Sequence, residues 1–234
     1  MKKSLLFGAV ALVACSLIAA ESTPKEEVTG AVKKLADQSN YSWKTTSEFG
    51  NFESTTTGKT EKGGATMLTM SFNDNETKAV LQGDKGAMQT PDEGWQSLAE
   101  IEANTEPGPG QWMAATLRNF KAPAAEAEDL VSKTKELKKD GDAFSSDLTD
   151  EGAKDLLTFR GRRGGQAPPP PQNAKGSVKF WIKDGMLSKY ELHLSGTVNF
   201  GGEDRDMDRT TTVEIKDVGT TKVNVPEEAK KKLS

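Results

Sequence analysis

Apolar and polar residues change their spacing along this chain in a way that marks out its elements. After an apolar run over residues 5–20, Val28, Ala31, Val32, Leu35 and Ala36 recur three and four residues apart, which predicts an amphipathic helix. Thr23-Pro24-Lys25-Glu26 in front of them supplies an N-cap, a proline in the first turn and a capping-box glutamate, and the helix is expected to end near Ser39. The period then drops to two. Tyr41, Trp43, Thr45, Ser47 and Phe49 alternate with Ser42, Lys44, Thr46 and Glu48, the pattern of a strand with one face buried, and Gly50-Asn51 predicts a turn.

Similar strands are expected over residues 52–61, over 66–73 with Leu68, Met70 and Phe72 on one face, and over 77–82. The breaks between them, Lys62-Gly63-Gly64 and Asn73-Asp74-Asn75, leave no room for a crossover helix and predict an antiparallel meander. From residue 95 to 159 the spacing is mixed. Trp112, Met113, Leu117 and Phe120 suggest a short helix after Pro107-Gly108-Pro109-Gly110. Residues 133–140 and 143–148 can pair across Gly141, and Thr149 caps a helix that points Ala153, Leu156 and Leu157 inward.

The clearest alternation lies near the C-terminus. Val178, Phe180 and Ile182 share one face, an Asp184-Gly185 turn follows, and Met186, Tyr190, Leu192, Leu194, Val198 and Phe200 predict a long strand whose other face carries Lys189, Glu191, His193, Ser195, Thr197 and Asn199. A third strand is expected around Val213 and Ile215, and a fourth around Val223 and Val225, ended by Pro226 before a short charged tail. Long antiparallel strands with one polar face predict a sheet covered on one side only.

Lys2 and Lys3 followed by the apolar run read as an export signal, because the run is too short for a membrane span and Glu21, Lys25, Glu26 and Glu27 follow it at once. Two cleavage readings give different proteins. Leu12-Val13-Ala14-Cys15 looks like a lipobox, which would leave Cys15 acylated and the chain tethered to a membrane. Against it, the residues after Cys15 stay apolar, and Ile18-Ala19-Ala20 makes a small-residue cleavage site that would release a protein starting at Glu21. The second layout is favoured, with residues 1–20 as the signal peptide, residues 21–234 as a single domain, and an exported, periplasmic location.

Charge and rare residues narrow the chemistry. Losing Lys2 and Lys3 takes the formal charge from −4 to −6, which argues against a nucleic-acid partner. Cys15 is the one cysteine and His193 the one histidine, so the domain has no disulfide, no thiol nucleophile and no set of soft ligands for zinc; neither a cofactor nor a metal is expected. His193 sits among polar neighbours and reads as a cross-strand hydrogen-bonding residue, not a base. Asp204-Arg205-Asp206-Met207-Asp208 has alternating acids but lacks the glycine and the late glutamate of a calcium loop, and reads as a hairpin tip. Gly58-Lys59-Thr60 lacks the upstream glycine of a phosphate loop, and Ser132-Lys133-Thr134-Lys135 lacks the companion motifs of acyl-serine enzymes. Arg160, Arg162 and Arg163 with Pro168 to Pro171 predict an exposed, flexible loop over residues 160–175, able to meet an anionic group or an envelope protein partner.

Taken in order, the export signal, first helix, meander, helical segments and the C-terminal hairpin Val178-Lys179-Phe180-Trp181-Ile182-Lys183-Asp184-Gly185-Met186-Leu187 resemble the LolA-like and LppX-like periplasmic lipoprotein-carrier and lipid-binding superfamily. The closing Asp217-Val218-Gly219-Thr220-Thr221-Lys222-Val223-Asn224-Val225-Pro226 is similar to that family's ending. The resemblance implies an α+β fold in which a strongly curved antiparallel sheet, a half-open barrel, holds an apolar ligand such as a lipid or acyl chain in a cavity that helices close on the concave side. Such a role needs no catalytic group. Keeping about fourteen methylenes in water costs on the order of 11 kcal/mol at about 0.8 kcal/mol each, so a dry concave surface is itself the device. The lining then expected is Trp43, Phe49, Leu68, Met70, Phe72, Leu192 and Leu194 from the strands, with Trp112, Met113 and Phe120 above. The same pattern would also suit a closed structural or protein-interaction domain of the cell envelope, since alternation reports burial and not a cavity.

Overall fold

The computed structural model describes residues 22–72, 75–90, 93–104, 108–158, 169–200 and 202–233, without the side chains of Phe72, Pro109 and Phe200. The export signal, Cys15 and residues 160–168 of the arginine-proline loop lie outside the described residues.

The N-terminal helix α1 (Pro24–Ala36) begins as the capping box requires: the Thr23 side chain accepts from the Glu26 amide, and the Glu26 carboxylate accepts from the Thr23 amide at 2.8 Å. These bonds hold the Glu26 carboxyl below its ordinary range. Replacing Thr23 by alanine is expected to cost about 1 kcal/mol, read as a lower urea midpoint with unchanged slope.

Six strands follow as a meander: β1 (Asn40–Phe49), β2 (Phe52–Glu61), β3 (Thr66–Phe72), β4 (Asn75–Gln82), β5 (Lys85–Thr90) and β6 (Gly94–Ser97). Three helices come next, α2 (Leu98–Ala103), α3 (Pro109–Arg118) and α4 (Pro123–Ser132). Then come β7 (Lys138–Asp140), β8 (Ala143–Asp147), α5 (Asp150–Leu157), β9 (Gln172–Lys183), β10 (Met186–Phe200), β11 (Glu203–Lys216) and α6 (Glu227–Lys232). The loop expected to reach residue 175 therefore gives way to β9 at Gln172. All eleven strands form one antiparallel sheet in the order β6-β5-β4-β3-β2-β1-β11-β10-β9-β8-β7, open between β6 and β7. Two meanders are joined by a single long-range pairing, β1 with β11, in register from Ser42 opposite Lys216 to Phe49 opposite Arg209.

This strand order dictates where the helices go. β6 and β7 are opposite edges of the sheet, so α2, α3 and α4, which connect them, must cross one face. Leu98 and Ile101 of α2, Ala114 and Leu117 of α3, and Ala124, Ala127, Leu130 and Val131 of α4 pack into one apolar core with Val28, Val32 and Leu35 of α1, Ala153 and Leu157 of α5, and the sheet residues Tyr41, Trp43, Leu68, Ala79, Met88, Phe180, Tyr190 and Leu194. We call this the first face. The long strand β10 changes which face its residues serve at a bulge between Leu187 and Lys189, so Leu187 and Tyr190 are both buried although they are three positions apart.

The other face is covered as well, which corrects the expectation of a one-sided sheet. No fourth strand forms at Val223 and Val225, because β11 already has β1 and β10 on its two edges. Asp217 and Gly219 adopt positive φ angles of 49° and 79°, Ser42 Oγ donates to Asp217 Oδ2 at 2.7 Å, and the chain leaves the sheet edge. Residues 221–226 then run as an extended strap over the second face, held where the Val223 amide donates to Glu61 Oε1 at 2.9 Å. The tail expected to be a charged end is α6, whose Ala229, with the following Leu233, packs against Val80, Ala87 and Trp95. Ala79 and Val80 are neighbours in sequence and serve the two different cores, as the alternation of a strand requires.

Candidate functional site

Strand register sorts the first face into rows. One runs Leu68, Gly58, Trp43, Ile215; the next Met70, Thr56, Thr45, Val213, Tyr190, Phe180, Phe144; the next Phe72, Ser54, Ser47, Thr211, Leu192, Val178, Ser146; and the last Phe52, Phe49, Arg209, Leu194, Gly176. The apolar lining expected from the sequence is thus split by a polar seam over β2, β1 and β11. Ser54, Thr56, Thr45, Ser47 and Thr211 are half-buried there, and Ser47 and Thr211 share a hydrogen bond of 3.2 Å.

On one side of the seam, Trp43 lies across Gly58, where an added Cβ would sit 2.0 Å from the indole Cζ2. The same indole stacks on Phe120 at 6.1 Å and 17°, and Tyr41 tilts against it at 5.8 Å. Beside this group a cleft of about 220 Å³ opens between the sheet and the helices, lined by Thr66 and Leu81 from the strands, Leu98 of α2, Leu117 and Arg118 of α3, and Phe120 and Ala122, with Gly64, Gly83, Asp84 and Lys85 at its polar, open side. A cavity of about 150 Å³ holds a benzene ring, so this cleft suits a ring or the end of a chain and is too small for a whole acyl tail.

Beyond the seam α4 closes over the sheet through polar contacts. The Ala124 amide, left uncapped by Ala122, donates to Tyr41 Oη at 3.3 Å, and Tyr190 Oη donates to Glu126 Oε2. Burial pushes the Glu126 carboxyl above its ordinary range; the Tyr190 bond and the charges of Arg209 and Lys121 oppose this, and Asp129 adds to it. Burial and the facing carboxylate push the Tyr190 phenol well above its ordinary value. Arg209 Nε is buried with no hydrogen-bond acceptor.

The expected lining residues fall into three groups. Trp43, Leu68, Leu192 and Leu194 are sealed in the core at 0–4% exposure. Met70, Met113 and Phe120 are half-buried at its edge. Phe49 and Trp112 are exposed at 42% and 56%, together with Phe52 at 58%. Trp43, Leu68 and Phe120 are brought together; Leu192 and Leu194 lie across the seam from them. Phe72 holds its place in β3, and its side chain lies outside the described residues.

Sequence reasoning missed Leu81, Leu98 and Leu117, which line the cleft, and the Glu126, Tyr190 and Arg209 cluster. Leu98 had a readable signal: Ser97-Leu98-Ala99-Glu100 is a capping box, and Ser97 and Glu100 make both of its bonds. Arg209 had none, since an arginine on a strand of alternating charge gives no sign of facing inward.

His193 donates to or accepts from Asp208 at 3.0 Å on the second face, as a cross-strand pair at the surface. Among the described residues no three His, Cys, Asp or Glu side chains converge as a metal site would require, and no helix is long and apolar enough to cross a membrane.

No protein-family description and no curated protein sequence matches this chain. Among solved structures the chain is similar to LprF from Mycobacterium bovis, with 10% identity, coverage of 88% of this chain and 97% of that one, and a TM-score of 0.43.

Proposed function

We propose that this is a non-enzymatic, exported binding protein of the cell envelope that carries an apolar ligand of the lipid or acyl-chain class between the first face of the sheet and its helices. In this reading the sheet curves so that the first face is concave, and α2 and α3 act as its lid. The observation that carries the reading is the gap bounded by Leu81, Leu98, Leu117 and Phe120, which lies at the junction of lid and sheet. Trp112 on α3, an apolar residue that reaches water, provides further surface that a ligand would cover. Ligand pockets run to about 300–1,000 Å³, so loading requires α3 to move outward and the Trp43–Phe120 stack to part. The protein is periplasmic in this reading, and membrane-anchored only if Cys15 carries lipid.

A second reading, a closed interaction domain without a ligand, is favoured by the near-complete burial of Trp43, Leu68, Leu192 and Leu194. Mass analysis of solvent extracts from the native protein, with uptake of a fluorescent fatty-acid probe, separates the two. Stoichiometric lipid or saturable uptake supports the carrier; a clean extract and no uptake support the closed domain. For the carrier, Ala122→Phe fills the gap and is expected to weaken probe binding about tenfold, roughly 1.4 kcal/mol, with little change in thermal stability.

A further inference from the structure

The second face carries a larger cleft, of about 420 Å³, on the side of the sheet away from α1 to α5. Its floor is the outward surface of β1, β2 and β3, through Ser42, Lys44, Thr57, Lys59, Met67 and Thr69, and its walls are Lys216 of β11 and the strap residues Lys222 and Asn224. Register explains the convergence. Ser42 stands opposite Lys59 and Lys216, Lys59 opposite Met67, and Lys44 opposite Thr57, so all these side chains leave the sheet on one side. The strap then brings Lys222 over them from a distant part of the chain.

Four lysines thus line one concavity in a protein of net negative charge. Lys216 is paired with Glu214 at 3.0 Å, whereas Lys44, Lys59 and Lys222 have no ion-pair partner among the described residues. Three carboxylates border the cleft: Glu214 pairs with Lys216 and stands opposite Lys44, Asp217 Oδ2 accepts from Ser42, and Glu61 Oε1 accepts from the Val223 amide. The four lysines outnumber these three carboxylates, and an anion placed among Lys44, Lys59 and Lys222 meets the excess positive charge. Met67, the threonine methyls and the lysine stems give the same cleft an apolar lining. Its volume lies within the about 300–1,000 Å³ of small-molecule sites.

We propose that this strap-covered cleft binds a single anionic amphiphile, with Lys44, Lys59 and Lys222 around a phosphate or carboxylate head and Met67 and the lysine stems against the start of its apolar tail. The site is separate from the gap under α2 and α3 and does not rest on the carrier reading.

The test is a titration of the isotopically labelled protein with decyl phosphate below its micelle concentration, followed by amide shifts in two-dimensional NMR. Saturable shifts are expected at residues 57–59, 67–69 and 222–224. Decanol, with the same tail and no charge, and inorganic phosphate, with the charge and no tail, are each expected to bind at least tenfold more weakly. The triple variant Lys44→Gln, Lys59→Gln, Lys222→Gln is expected to lose at least tenfold in affinity while its spectrum shows the fold intact. Shifts confined to residues around Leu81, Leu117 and Phe120 would overturn the proposal and leave the carrier reading standing. Equal affinity for inorganic phosphate would reduce the cleft to a plain anion site and overturn it. So would lysine-dependent binding to anionic vesicles with no saturable uptake of decyl phosphate, which would make this face a membrane-docking surface.

Discussion

Gly58→Ala is expected to destabilise the protein by about 3 kcal/mol, a large effect for the addition of one methyl group. In an ordinary strand the same change is favourable by roughly 0.5–1 kcal/mol, because alanine loses less backbone entropy than glycine on folding. Here the new Cβ would stand 2.0 Å from Trp43 Cζ2 and 2.2 Å from Cε2, well inside contact distance. The obstacle is a rigid ring braced by Tyr41 on one side and Phe120 on the other, so the indole cannot slide away without breaking its stack. Overpacking a core costs about 1–3 kcal/mol and losing a buried tryptophan about 3–5 kcal/mol, and expelling the indole involves some of each. Urea denaturation of Gly58→Ala in two backgrounds checks the cause. In Trp43→Leu the alanine should cost less than 1 kcal/mol, because the ring it strikes is gone; an equal cost in both backgrounds would place the strain elsewhere.

That glycine also shows how much of the molecule was legible in its sequence. The alternation of Tyr41, Trp43, Thr45, Ser47 and Phe49 marked β1 and the face on which Tyr41 and Trp43 are buried, though Phe49 at its end is exposed, and the 3.6-residue spacing after Thr23 marked α1 with its cap. Both signals are local, since period and capping depend on residues a few positions apart. The partner of β1 is β11, more than 150 residues away, and no local pattern encodes that pairing. The strand expected at Val223 and Val225 failed for the same reason. The alternation is present, but a strand needs a free edge, and which edges are free is a property of the whole sheet. Two apolar residues spaced for a strand became the anchors of a strap on the second face instead. The candidate site divides along the same line. Inward-facing positions were readable from alternation, so Trp43, Leu68, Leu192 and Leu194 are buried as expected. Whether a buried side chain borders a gap or packs against a helix depends on where α2, α3 and α4 lie on the sheet, and no local spacing encodes that placement. The polar seam was written in the sequence as Thr45 and Ser47 between aromatic residues, and it became meaningful once Thr211 and Arg209 were seen beside it.

Glu126→Ala is expected to cost about 3 kcal/mol at neutral pH. The change removes the acceptor of Tyr190 Oη and the charge that faces Arg209, leaving a phenol and a guanidinium largely buried beneath α4 without either. Breaking a buried pair from one side costs about 3–5 kcal/mol, and the lower end applies because Arg209 keeps some contact with solvent, although Tyr190 has none. Glu126→Gln tests the charge apart from the shape, because the amide still accepts from Tyr190 and cannot ionise. Burial holds the Glu126 carboxyl of the folded protein above the value of 4.5 that it has in an unfolded chain. The unfolded chain therefore releases this proton first as pH rises, and between the two values the folded state binds more protons. Stability from this group is then fully present below about pH 4.5 and declines as pH rises through the folded value. Tyr190, Arg209 and Lys121 limit the decline by favouring the carboxylate, and Asp129 deepens it. The expected result is a stability difference, Gln variant minus wild type, that increases with pH from acid to neutral and then levels off once the wild-type carboxyl has ionised. A difference that is flat from acid to neutral pH would mean that Glu126 ionises as it does in water, and that water, not the helix, occupies the space above Arg209.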